Sequence, residues 1–177
     1  MWDPRDLPRE GTWQDDGPRL PIEFSRISRD ACLTLVIDQV NGEVVTTMHV
    51  LSPRTALDDA REDLRKREGT SEEKIGWVDI GAGKSSHKQN PNQVDVHDVV
   101  RQWCQKHKYD AAVWTALKSN FKKETERVFS VEAANAYLSG LPKNVQKEAL
   151  RYIRNAPDCV VTRVREEVKK RFGEQGA

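Results

Sequence analysis

Asp63-Leu-Arg-Lys-Arg-Glu-Gly-Thr70 closes a helix and hands the chain to a strand, Ile75-Gly-Trp-Val-Asp-Ile80. The helix reads from its start. Ser52 is a good N-cap, Pro53 suits the first turn, and Leu57, Ala60 and Leu64 make one apolar stripe. Asp58 and Asp59 come early while Arg65, Lys66 and Arg67 come late, both favourable to the helix dipole. Gly69 can take the left-handed conformation that stops a helix. Glu68 therefore sits at the negative end of a helix, where propensity does not ask for an acid. A helix end followed by glycine and a strand is a place to hold one proton acceptor. A solvated glutamate is the plain alternative.

Outward from this stretch, the first 20 residues read as loop, broken by Pro4, Pro8, Gly11, Gly17 and Pro18, with Trp2 and Trp13 as anchors. Ile22–Ser28 alternates as a half-buried strand does, and Cys32–Ile37 is nearly continuous, as in a central strand. Asn41-Gly42 is a hairpin signal, from which Glu43–Leu51 runs back as a third strand. Gly81–Gln93 is a polar loop. Asp95 caps a helix whose Val96, Val99, Val100, Trp103, Cys104 and His107 share one face. Tyr109–Leu117 reads as a buried strand and 118–128 as a charged connection. Helices over Ser130–Ser139, Pro142–Ala156 and Thr162–Phe172 close the chain. The order predicts an α+β protein, with a core over 1–117 and a helical extension over 118–177.

Lys and Arg number 29 against 28 Asp and Glu, so bulk charge gives no argument for nucleic acid or an anionic membrane. No window is apolar for long enough to span a bilayer. Three widely spaced cysteines, Cys32, Cys104 and Cys159, favour reduced thiols in a cytoplasmic protein over a disulfide framework. Cys104, on the apolar helix face, reads as core filler.

Several motifs dissolve on inspection. Gly81-Ala-Gly-Lys-Ser-Ser86 suggests a phosphate loop, but Val78 stands where such a loop needs its first glycine. His49, His87, His97 and His107 have no metal-ligand spacing, and no cofactor motif is present. Ser–His or Cys–His pairs meet only in space, so sequence leaves them open. Trp103 and Trp114 read as core. Trp77, on the strand after Glu68, either walls a pocket or packs. The basic last helix also carries Glu166 and Glu167 and reads as a solvated face.

The order of elements around Arg67-Glu68-Gly69 resembles the γ-glutamylcyclotransferase-like family, where a helix following a hairpin ends in a Glu-Gly motif and leads into a strand. Trp2-Asp-Pro-Arg5, Asp16-Gly-Pro18, Leu20-Pro-Ile-Glu-Phe24, Arg26-Ile-Ser28 and Leu33-Thr-Leu-Val36 look like a bacterial branch of it. The resemblance covers about residues 1–80. It implies a mixed sheet or partial barrel, with 118–177 a branch-specific helical extension. It further implies catalysis by Glu68, substrate contacts from Trp2 and Trp77, a small γ-glutamyl substrate, and no metal or cofactor. The family's Tyr-Gly-Ser-Leu loop, whose backbone amides grip the γ-glutamyl group, would precede Met1 and is not in this chain. A non-catalytic relative acting as an interaction module is the alternative.

Overall fold

The computed structural model describes residues 7–86 and 95–173; Trp2 lies outside them. The strands and helices run β1 (Glu10–Gln14), β2 (Arg19–Ile27), β3 (Leu33–Ile37), β4 (Glu43–Thr46), β5 (His49–Leu51), α1 (Leu57–Glu68), β6 (Ile75–Asp79) and β7 (Lys84–Ser85). There follow α2 (Val96–His107), β8 (Ala111–Thr115), α3 (Phe121–Thr125), α4 (Val131–Gly140), α5 (Lys143–Arg154) and α6 (Arg163–Phe172). The fold is α+β with small antiparallel sheets. No helix among the described residues is long and apolar enough to cross a membrane.

The chain forms two units. One holds the described residues up to Leu20 together with Thr46–Leu117; the other holds Pro21–Val45 and the chain from Lys118 onward. The helical segment expected as an extension is thus grouped with strand residues from early in the chain.

In the first unit β1 pairs with β5, and a separate sheet has the order β7-β6-β8. Within it Gly76 lies opposite Trp114 and Trp77 opposite Val113, so 76 and 114 share one face while 77 and 113 share the other. Arg61 of α1 stands over the Trp77 ring at 5.1 Å, and His97 of α2 meets Trp114 edge-on at 5.1 Å. The two helices therefore cover opposite faces of β6 and β8.

α2 begins as expected, with Asp95 accepting from the His97 N–H at 2.9 Å, and Cys104 is wholly buried. α1 begins later than expected. Ser52 Oγ accepts the Arg54 N–H in a local turn, and the Arg54 guanidinium reaches Asp63, so the helix starts at Leu57. Glu10–Gln14, read as loop, is β1.

In the sheet containing β2, that strand is central, between β3 and β4. Asn41-Gly42 therefore does not join two paired strands. Asp38 explains the change: its carboxylate accepts from Val40 N and Asn41 N at 3.0 Å and from Ser25 Oγ at 2.7 Å. Gly42 then passes so close to Pro21 and Ile22 that a Cβ would overlap their backbone. The stretch read as a charged connection runs beside β2. Arg26 donates to Lys118 O, Ser119 Oγ donates to Ser25 O, and the Asn120 amide exchanges two hydrogen bonds with the Ile27 backbone. The chain then turns into α3, which buries Phe121 against Phe129 and Tyr137.

The apolar core of this unit joins Phe24 and Leu33 to Leu138, Ile153, Val164 and Val168. Two buried charges hold its corners. Arg165, 3% exposed, donates to the carbonyls of Arg154, Ala156, Pro157 and Val160, binding the end of α5 to the start of α6. Glu23, fully buried, accepts from Phe24 N at 2.8 Å and from Val164 N at 3.5 Å, in the first turn of α6.

Burial raises the Glu23 carboxyl above its ordinary 4.5, against the opposing hydrogen bonds from Thr162, Phe24 and Val164 and the charge of Arg163. A carboxylate with a raised folded-state pKa stabilises the fold below the unfolded value, and that contribution is lost as pH rises through the folded one. Glu23→Gln should therefore gain in urea midpoint relative to wild type as pH climbs above 4.5, with the gain closing below it. A pH-independent difference would show that the carboxyl does not titrate between the two states.

Candidate functional site

Glu68 closes α1, and Gly69 ends the helix in the left-handed region at φ 57° and ψ 40°. Backbone donors from Gly69 and Thr70 reach the carbonyls of Lys66 and Arg65, so the last turn is fixed rather than frayed. The Glu68 side chain is 18% exposed, and its Oε1 lies 2.5 Å from Nη1 of Arg67, itself 8% exposed. Its Oε2 carries no hydrogen bond among the described residues. The other two late cations turn elsewhere: Arg65 and Lys66 both reach Glu62, at 2.6 Å and 3.4 Å. The Arg65 hydrogen bond is the main cause of a Glu62 carboxyl held down at about 2.

Trp77 is half-buried on β6 beneath Arg61. A pocket of about 310 Å³ opens nearby, lined by Asp58, Arg61, Glu62, Arg65, Glu72 and Ile75. Its walls carry both signs of charge, but neither Glu68 nor Trp77 is among them. Of the residues singled out from the sequence, then, Glu68 and Trp77 lie on successive elements of one unit without sharing this pocket.

A second constellation lies on the other side of β6. Ser86 Oγ is 2.9 Å from Nε2 of His97, and His97 Nδ1 is 2.8 Å from Oδ1 of Asp95. A carboxylate can only accept, so Nδ1 carries the proton and Nε2 accepts from the serine hydroxyl. Ser86 is held by β6: its N–H donates to Trp77 O at 3.0 Å, and Trp77 N–H donates to Ser86 Oγ at 3.1 Å. His97 and Asp95 side chains are 15% and 14% exposed. The Asp95 cap is legible from residue type, but this line is not, because Ser86 meets His97 only through the fold.

The third cluster corrects the reading of Trp103 as core. Its indole N–H donates to Asp16 O at 2.8 Å, and its ring stacks on His107 at 4.9 Å and meets His49 edge-on at 4.8 Å. Together with Asp16, Arg19, Lys106 and His107 it lines an open cleft of about 530 Å³. Behind it His49 Nε2 is 3.2 Å from the Tyr109 hydroxyl. Its Nδ1 is 3.2 Å from Asp16 Oδ1, close enough for attraction though not aligned for a hydrogen bond. Burial lowers the His49 pKa below 6.5, opposed by Asp16 and reinforced by His107. The one-face periodicity of α2 was visible in sequence. That the face meets a cleft at its C-terminal end was not.

Among the described residues no group of three or more His, Cys, Asp or Glu side chains is arranged to hold a metal ion. Burial pushes the Cys104 thiol up to about 11, which makes it inert packing. Comparison with family models, curated proteins and solved structures gives no match.

One support beneath the second constellation is a close approach between β6 and β8. A Cβ on Gly76 would overlap Cε2 and Nε1 of Trp114, the ring against which His97 packs. Gly76→Ala should lower stability by roughly 1–3 kcal/mol through overpacking. In a Trp114→Ala background the same change should cost far less, since the two positions are coupled. Chemical denaturation of the four proteins measures the coupling, and simple additivity would exclude the contact.

Proposed function

We propose that the chain is a γ-glutamylcyclotransferase-like protein that releases 5-oxoproline from a γ-glutamyl amine or amide, with Glu68 as the proton relay. The observation that carries the reading is the setting of Glu68. It is a largely buried carboxylate at a fixed helix end, tethered through Oε1 to Arg67, with Oε2 not engaged by any described residue. In the reaction the free α-amine of the γ-glutamyl group attacks its own γ-carbonyl carbon. The new N–C bond closes the five-membered ring as the γ-amide C–N bond breaks. Glu68 removes a proton from the attacking amine and returns it to the departing nitrogen. Arg67 fixes the carboxylate's rotamer, which is the orienting role that such a transfer needs. The resemblance adds Trp77 as a wall for the substrate, on the strand that follows.

Purified wild-type chain should release 5-oxoproline from at least one member of a panel of γ-glutamyl amines, amides and peptides. Glu68→Gln keeps the shape but removes the proton acceptor, and should lower turnover by about 10²-fold or more. Liquid chromatography of 5-oxoproline reads both. Equal turnover by the variant removes Glu68 from the chemistry, and no release by wild type from any member of the panel removes the reaction itself.

A further inference from the structure

The line Asp95–His97–Ser86 has the three relationships that activate a serine: a hydroxyl bonded to an imidazole, an imidazole whose far nitrogen is held by a carboxylate, and one tautomer that satisfies both. The distances, 2.9 Å and 2.8 Å, fall within ordinary hydrogen-bond range without adjustment. The order of roles is recognised by geometry rather than by chain position. The parts are also supported as a working group has to be. Asp95 is fixed by capping α2 through His97 N, the imidazole packs against Trp114, and Ser86 is tied to β6 through both its N–H and its Oγ. The Trp77 N–H, 3.1 Å from Oγ, donates to that oxygen and so holds the hydroxyl in place beside His97 Nε2.

We propose that Ser86 is a nucleophile activated by His97 and oriented by Asp95, and that it takes up the acyl group of a small activated ester. As Oγ attacks the carbonyl carbon, its proton passes to His97 Nε2 and the Oγ–C bond forms. The bond from that carbon to the leaving oxygen breaks, and His97 returns the proton to the departing alcohol. Water, deprotonated by the same nitrogen, then attacks the ester on Ser86, releases the carboxylic acid and restores the hydroxyl. Asp95 stays a carboxylate throughout and stabilises the imidazolium between the two halves. The chemistry is independent of Glu68, which lies on a different element and has its own partner.

A fluorophosphonate probe tests the nucleophile directly, because it bonds covalently to an activated serine oxygen and ignores an ordinary one. The intact wild-type chain is incubated with the probe, digested, and the adduct mapped by mass spectrometry. The expected result is an adduct on Ser86, absent from Ser86→Ala, retained in Ser85→Ala, and formed about 10²-fold or more slowly by His97→Gln. Far-UV circular dichroism checks that each variant keeps its fold. If His97→Gln does not fold, the wild-type map still decides. No adduct on Ser86, or one no faster than at other serines, overturns the proposal. So does a folded His97→Gln chain labelled at the wild-type rate, which would leave these hydrogen bonds a purely architectural role.

Discussion

The contact between Gly76 and the Trp114 ring is the constraint on which the first unit turns. Since position 76 has no side chain, the indole of the neighbouring strand can lie against β6 itself. That placement sets the ring against His97 and so fixes where the start of α2 meets the sheet. The opposite face of β6 is free to display Trp77 to Arg61 of α1. One strand thus locates both groups of polar residues by alternation alone, because successive side chains must leave on opposite sides.

The second unit is governed by buried polar groups rather than by a close backbone approach. Arg165 offers its guanidinium to four carbonyls from the end of α5 and the turn after it, groups that no helix can satisfy internally. Glu23 does the complementary work at the start of α6, accepting from the Val164 N–H of its first turn. A cation among terminal carbonyls and an anion at initial N–H groups is the arrangement that the helix dipole favours at each end. Both charges are expensive to bury. Their directional bonds set the path between α5 and α6 more narrowly than apolar contact would.

Much of this was legible in the chain. α2, with its Asp95 cap and apolar stripe, the strand after Glu68, and the three last helices fall where periodicity and breakers put them. What escaped shares a cause: a side chain or segment that satisfies backbone groups outside the regular ladders of helix and sheet. Ser52 spends its hydroxyl on a turn, so α1 starts late. Asp38 organises the bend at Asn41-Gly42, and β4 goes to β2 instead of β3. Asn120 binds the Ile27 backbone as a strand residue would, which composition cannot announce. For the sites, Glu68 and its glycine stop were readable, but its choice of Arg67 over two neighbouring cations was not. Ser86 and His97 lie eleven positions apart in the chain, and only folding brings them together.

Asp95 has two tasks on one oxygen, since its Oδ1 receives both the His97 amide and the His97 ring. Asparagine or serine at that position would still start the helix well. Neither would dictate which ring nitrogen holds the hydrogen, because an amide or hydroxyl can give as well as take. Variants selected for heat resistance alone would pass such a change unnoticed, while the imidazole lost its fixed polarity. Thermal tolerance and proton-transfer competence can therefore drift apart at this single residue.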